Sequence, residues 1–127
     1  MHLVEHVLLR PLRAPADEAP RVDDASGAQV SLVFSGWTAR GADLRFRMLA
    51  QQILAREAPA HLRCRLVWLD AARMQAFEAA WLAWLRARAA HCAALLAPPA
   101  QHEADGAGRT LDEQSARVRA LLQEVAS

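Results

Sequence analysis

Two segments of the chain alternate between apolar and other residues, and each alternation predicts a β-strand. Residues 29–35, QVSLVFS, place Val30, Leu32 and Phe34 on one side. Residues 62–68, LRCRLVW, place two leucines, a cysteine and a tryptophan on one side, with Arg63 and Arg65 on the other. Successive side chains of a strand point to opposite faces. We therefore predict two strands whose more apolar side faces the core and whose arginine side is solvated or bound to a partner.

The first apolar run, residues 2–9, fits two structures. Its leucines and valines have helical spacing, whereas its shortness, its β-branched residues and the nearby Pro11 are typical of a strand. We favour the strand. Residues 10–28 then contain three prolines and four acidic residues, and we predict a long surface loop there.

Between the two alternating segments, apolar residues recur with the period of an amphipathic helix. They are Phe46, Leu49, Ala50, Ile53 and Leu54. Asp43 is predicted to cap the start of this helix because its carboxylate can accept hydrogen bonds from free backbone N–H groups. Pro59 is predicted to end it because proline disfavours helical backbone in the preceding residue.

The second half of the chain predicts two more helices. The first spans residues 71–96, with Asp70 as its cap. Its apolar stripe contains Met74, Phe77, Trp81, Trp84 and Leu85. We expect Trp68, Phe77 and Trp81 to share one core. Arg88 continues the stripe at a position where the period predicts a core residue. Pro98 and Pro99 end this helix. Residues 98–109 are predicted to be a linker, and Thr110 with Glu113 forms a capping box that begins a C-terminal amphipathic helix over residues 110–127.

These elements predict an α+β fold with the order β-β-α-β-α-α. We expect a small three-stranded sheet with helices on one face, followed by the terminal amphipathic helix. Residues 1–97 form the predicted core domain, and 98–109 and 110–127 are the linker and last helix. The strand–helix–strand unit favours a right-handed parallel crossover. The last helix either folds back, so that Leu95 and Leu96 meet apolar residues of 111–125, or joins the long helix in self-association.

Composition narrows the class of protein without identifying a reaction. The chain has 127 residues, enough for one domain, with 15 basic residues against 14 acidic ones. A net charge of +1 gives no general attraction to nucleic acid or anionic lipid. No apolar run is long enough for a membrane span, and the N-terminus lacks the features of a signal peptide. We expect the protein in the cytoplasm, or in a particle assembled there.

The residue types that could bind zinc do not have the spacing that a zinc site needs. His61 and Cys64 are three apart on a predicted strand, and His91 and Cys92 are neighbours on a predicted helix. Both arrangements direct the side chains apart. Two cysteines also make no disulfide scaffold, so we expect two free, buried thiols. Catalytic motifs such as G-x-S-x-G are absent. We predict no metal, no cofactor and no catalytic site.

The candidate interaction residues are arginines and one tryptophan. Arg45 and Arg47 would form a basic patch with Arg63 and Arg65 if the helix start and the strand face lie together. A protein-contacting or solvated face is favoured over nucleic acid, because nucleic-acid readers usually add exposed aromatics or a recognition helix.

Two further places could contact a partner or a ligand. Trp37, in a glycine-flanked turn, is the tryptophan expected to be exposed and to anchor a partner, and Arg88 is a further candidate. In the turn of Glu57, Pro59 and His61, the carboxylate either pairs with the imidazole or, as we favour, accepts backbone N–H groups.

Several short motifs resemble one family of bacterial proteins. They are HLVEHVLLRP at the start, VFSGW, LRFRM, the E-x-PAH turn followed by WL, and M-x-x-FE-x-x-W-x-x-WL. Together they cover residues 2–11 and 30–85. The chain thus resembles uncharacterised modules of phage-tail-like contractile injection systems, which are appended to baseplate-type proteins. The shared residues are mostly those of a core and its turns, so the resemblance implies no catalytic site.

The leading hypothesis is therefore a non-enzymatic structural or assembly module that contacts other protein subunits. The alternative is a small-molecule-binding or enzymatic domain with a pocket near Glu57 and His61. A third hypothesis is an RNA-binding accessory domain that uses the arginines.

Overall fold

A mixed three-stranded sheet organises the part of the chain that the structure describes. The computed structural model describes residues 1–12, 28–96 and 101–124. Strand β1 (His2–Glu5) pairs antiparallel with β2 (Gln29–Ser35), with Leu3 opposite Leu32. Strand β2 pairs parallel with β3 (Arg63–Leu69), with Val33 opposite Val67. The α+β class, the element order and the parallel crossover are confirmed.

The N-terminal run contains a strand followed by one helical turn. β1 ends at Glu5, and residues His6–Leu9 form a 3₁₀ turn. The strand prediction is therefore confirmed for the first half and wrong for the second. Val4 from the strand and Leu9 from the turn are both fully buried, so this short region joins the core. Most of the predicted 10–28 loop, residues 13–27, lies outside the described residues.

Side-chain caps define the two helices between β2 and β3. The Thr38 hydroxyl accepts a hydrogen bond from the Gly41 N–H, 3.1 Å, and begins the short helix α1 (Ala39–Ala42). A Cβ at Gly41 would collide with the Ser35 carbonyl oxygen, so this close approach needs glycine. Asp43 Oδ1 accepts from the Arg45 N–H, 2.9 Å, and caps α2 (Leu44–Glu57) as predicted. The helix ends before Pro59, also as predicted.

The two long helices form an antiparallel layer. Helix α3 spans Ala71–Leu96, and Asp70 Oδ1 accepts from the Arg73 N–H at its start, 2.8 Å. Helix α4 spans Gln101–Glu124 and packs along α3. The linker prediction is therefore wrong for residues 101–109, which are helical. Thr110 lies inside this helix, where its hydroxyl donates to the Gly106 carbonyl, 3.2 Å. The capping box predicted for Thr110 and Glu113 is therefore wrong.

The fold-back of the last helix is confirmed, but its expected contacts are not. Leu95 and Leu96 remain 64% and 88% exposed, so they do not pack into the stripe of α4. The helices instead meet earlier along α3, where the Trp84 indole N–H donates to the Ser115 hydroxyl, 3.0 Å. Val118 and Leu122 of α4 are almost completely buried in the same layer.

The core lies on the side of the sheet opposite to the predicted one. Ser31, Val33 and Val67 are buried beneath α3 and α4. Trp68 lies on the other face, stacked on Phe34 with ring centroids 4.8 Å apart, whereas Phe77 and Trp81 stack on each other in α3. A core shared by Trp68, Phe77 and Trp81 is therefore wrong. The parity of the strands separates them, because residues 67 and 68 point to opposite faces.

The helices do not all lie on one face. Helix α2 crosses the face that carries Phe34 and Trp68, where Phe46 meets Trp68 edge-on at 6.0 Å between ring centroids. None of the side chains of α2 is buried. Among the described residues, one face of the sheet is therefore covered by a helical layer, and the other is covered loosely by a single helix, α2.

Candidate functional site

The loosely covered face contains an apolar groove between α2 and the sheet. The groove encloses about 740 Å³. Its floor comes from alternate residues of the three strands, including Leu3, Leu32 and Leu66, and its wall comes from Leu49 and Ile53 of α2. These two α2 side chains are 51% and 47% exposed, so apolar surface remains open to water.

One end of α2 is fixed to the sheet. The Arg47 guanidinium lies over the Trp68 ring, 4.9 Å from its centroid, and its Nε donates to the Gly41 carbonyl, 2.6 Å. Phe46 meets the same tryptophan. Arg47 thus holds the start of α2 against the sheet, because its guanidinium interacts with groups of the fold itself.

The other end of the groove lies at the predicted turn. Glu57 and Pro59 are part of its lining, and His61 is exposed and lies outside that lining. Glu57 accepts a hydrogen bond from Arg56 Nε, 2.7 Å, whereas the turn is closed by the Leu62 N–H donating to the Pro59 carbonyl, 2.9 Å. The favoured interpretation, a carboxylate bound to the turn backbone, is therefore wrong. A pocket at Glu57 exists, and most of its lining is apolar.

A buried polar cluster lies under the other face of the sheet. His6 Nε2 and the Ser31 hydroxyl are 2.8 Å apart, and Arg65 Nε donates to the same hydroxyl, 3.0 Å. Arg65 Nη2 also donates to the Leu122 carbonyl of α4, 2.9 Å. Burial, and then the charge of Arg65, lower the pKa of His6. Burial likewise lowers the pKa of Arg65, though an arginine still keeps its proton.

The Ser31–His6 pair is structural in this arrangement. Nucleophilic catalysis needs an accessible hydroxyl and a base oriented by a third group. Ser31 is completely buried, and the third member here is a guanidinium that lowers the basicity of the imidazole. Sequence reasoning missed this cluster because it assigned Arg65 to a solvated face. Its members are far apart along the chain, and no local pattern joins them.

The structure does not bring the predicted basic patch together. Arg65 is half-buried on the core side of the sheet, and Arg47 lies over Trp68 on the groove side. Arg45 and Arg63 are exposed. Without a shared surface, the four arginines make no basic face of the kind that the RNA hypothesis needs.

Trp37 and Arg88 have clear positions. Trp37 is 50% exposed, as predicted for this turn residue. The Arg88 guanidinium lies over the Trp84 ring, 5.4 Å from its centroid, at the exposed edge of α3. The buried stripe continues at Ala87, and Arg88 covers an aromatic face from outside.

The cysteines and histidines considered for zinc are dispersed. Both cysteines are free thiols, as predicted, but neither is fully buried: Cys64 lies in the floor of the groove, and Cys92 is exposed on α3. Within residues 1–12, 28–96 and 101–124, no group of three or more His, Cys, Asp or Glu side chains could hold a metal ion. The absence of zinc stays a prediction, for metal analysis of purified protein to check.

None of the helices within the described ranges has the length and hydropathy that crossing a membrane requires.

The chain matches no protein-family model and no curated protein at a significant level. The resemblance to contractile-injection modules therefore rests on the motifs alone.

Proposed function

We propose that this protein is a non-enzymatic assembly module that binds a neighbouring protein subunit in the groove between α2 and the sheet. The observation that carries this proposal is the open apolar groove, with Leu49 and Ile53 half-exposed above a sheet face made of large apolar residues. The resemblance described above supports a phage-tail-like contractile injection particle, assembled in the cytoplasm, as the setting.

The physical reason is the cost of leaving this surface in water. Apolar area removed from water stabilises a complex by about 25 cal/mol per Å². A helix or loop that inserts apolar side chains between α2 and the sheet would remove such area on both partners. Because the sheet floor is fixed by strand pairing, the groove is formed in advance for its partner.

The docking surface that we propose differs from the one expected from the sequence. The long helices were candidates for self-association, and α4 covers the apolar side of α3 within the same chain. Trp37 and the exposed arginines stay candidates for contacts outside the groove.

The first experiment places a photo-crosslinking amino acid at Ile53 or at Met48 in the native cells. Both positions are exposed on α2, and Ile53 lines the groove whereas Met48 does not. We expect a specific cross-link from position 53 to a tail-type structural subunit such as a sheath, tube or baseplate protein. Equal cross-linking from both positions, or none from 53, would contradict the proposal.

A second candidate function uses the same groove for an apolar small molecule. Its volume falls within the range of about 300–1,000 Å³ that is typical of ligand sites. Native mass spectrometry of the purified protein tests it. A bound mass that is retained in Met48→Arg and lost in Ile53→Arg would favour this candidate over the assembly module.

A further inference from the structure

A second cavity lies on the other side of the sheet, between the 3₁₀ turn, the sheet and α4. It encloses about 480 Å³. Its polar lining comes from His6, Gln29, Arg65, Arg119 and Gln123, and two alanines of α4, Ala116 and Ala120, complete it. This cavity takes no part in the proposed docking of a subunit.

The lining is positively charged and holds no balancing carboxylate among the described residues. Arg65 and Arg119 both contribute guanidinium groups to it. Arg65 donates Nε to Ser31 and one Nη2 hydrogen to Leu122, which leaves further N–H groups of its fork without a partner among the described residues. Arg119 is half-buried, and no hydrogen bond or ion pair joins it to another described residue.

The arrangement of Arg65 suits the recognition of an anion. Its guanidinium is held in place by bonds to β2 and to α4, so little rotational freedom is lost on binding. Two half-buried guanidinium groups line this cavity, and its described lining contains no carboxylate, so an oxyanion bound there would be attracted by both. Arginine forks bind phosphate and carboxylate groups through paired, charge-assisted hydrogen bonds.

We propose that this cavity binds a small organic anion through its phosphate or carboxylate group. Arg65 and Arg119 bind the oxyanion, and Gln29 and His6 supply further polar contacts. The side chains of Ala116 and Ala120 face the organic part of the ligand. The cavity is larger than a bare ion needs and falls within the usual range of ligand sites, about 300–1,000 Å³.

Titration of the full-length protein followed by nuclear magnetic resonance tests the site. The probes are inorganic phosphate, pyrophosphate and succinate, at low ionic strength. We expect at least one probe to shift the backbone amide signals of Gln29, Ser31 and Arg65. Comparing the affinities for the two phosphate probes with the affinity for succinate shows whether the site prefers a phosphate or a carboxylate.

Two matched variants decide whether binding is specific. Arg119→Gln removes a guanidinium from the cavity, and Arg117→Gln removes the same charge from an exposed position two residues earlier on α4. We expect Arg119→Gln to weaken binding about tenfold or more, because it removes charge-assisted hydrogen bonds. Arg117→Gln should change binding by less than about twofold.

Two outcomes would overturn the proposal. One is that no probe shifts these amides at concentrations well above about 1 mM, the weak end of specific affinity. The other is that both variants weaken binding equally, which would indicate general charge attraction. The helical content of each variant, measured by circular dichroism, shows that the fold is intact.

Discussion

The two faces of the sheet are packed in opposite ways although the same strands build them. On one face, Val33 and Val67 are buried under a layer of two long helices. On the other, Leu32 and Leu66 form the floor of a groove, and none of the side chains of α2 is buried. The face with the more apolar residues is the more open one.

The two faces of the sheet are therefore expected to differ in role, the closed face contributing stability and the open face contributing a binding surface. On the closed face, apolar contacts join the sheet to α3 and α4, and the hydrogen bond from Trp84 to Ser115 joins the two helices to each other. The open face has large apolar side chains in place, and within the described part of the chain only α2 lies over it. An exposed apolar surface of this kind is typical of a binding site. We therefore expect core substitutions to change stability and groove substitutions to change binding.

The largest expected effect comes from Trp84→Ala on the closed face. Trp84 is 1% exposed and stacks on Trp81, with ring centroids 4.7 Å apart. Removing the indole leaves a cavity and an unpaired Ser115 hydroxyl, so the free energy of unfolding should fall by about 3–5 kcal/mol. Urea unfolding measures it. The control is Trp37→Ala in the exposed turn, which should change stability by less than about 0.5 kcal/mol. Similar losses in both variants would contradict the assignment of the core.

The next prediction compares one leucine from each face. Leu122 of α4 is 1% exposed, and Leu49 of α2 is 51% exposed. Both are helical, so helix propensity changes equally on substitution by alanine. We expect Leu122→Ala to cost about 2–5 kcal/mol and Leu49→Ala about 0.5 kcal/mol or less. The urea unfolding midpoints of the two variants, each compared with wild type, measure these losses of stability. A large loss for Leu49→Ala would show that α2 packs closely and that the groove is closed in solution.

The sequence predicts which residues share a face, but not which face becomes the core. Strict alternation correctly groups Val30 with Leu32 and Phe34, and the caps at Asp43 and Asp70 are both confirmed. Ranking the faces by apolar content then selects the wrong one. The deciding partner is α4, whose position depends on contacts distant in sequence. Ser31 and Arg65 can lie on the core side because Arg65 donates a hydrogen bond to Ser31 and Ser31 is also hydrogen-bonded to His6. Hydrogen bonds between residues this far apart in sequence cannot be predicted from a local pattern.

A pH dependence should come from His6 on the closed face. His6 contacts Ser31 of β2, and it lies beside Arg65 of β3 with Gln29 and Arg119 lining the same cavity. Because burial and then Arg65 lower its pKa, the unfolded chain takes up a proton at higher pH than the folded one. The stability that His6 contributes is therefore complete above about pH 6.5 and is lost as the pH falls through its lower folded pKa.

Urea unfolding at about pH 7.5 and about pH 5 checks this sign. We expect wild type to lose more stability over this interval than His6→Gln does. His61→Gln, an exposed histidine at the groove end, is the control and should behave like wild type. If His6→Gln leaves the difference between the two pH values unchanged, the buried imidazole is not its source.

The smallest predicted effect tests the segment where sequence and structure disagree most. Gly106 and Gly108, with the preceding prolines, made residues 98–109 resemble a linker. In the structure both glycines lie inside α4, because packing against α3 overrides the low helix propensity of glycine. A Cβ at Gly106 would meet nothing within 4 Å. Gly106→Ala should therefore stabilise the protein by about 0.5–1 kcal/mol, because alanine loses less backbone entropy in a helix.

The sign of this change distinguishes a helix from a linker. In a linker the backbone stays free after folding, so the substitution would leave the urea midpoint unchanged. In a helix that is part of the closed layer, the midpoint rises. Gly41→Ala is the opposite control, since its Cβ would collide with the Ser35 carbonyl and the midpoint should fall. A rise for Gly106 together with a fall for Gly41 would place residues 101–109 in the helical layer that closes one face of the sheet.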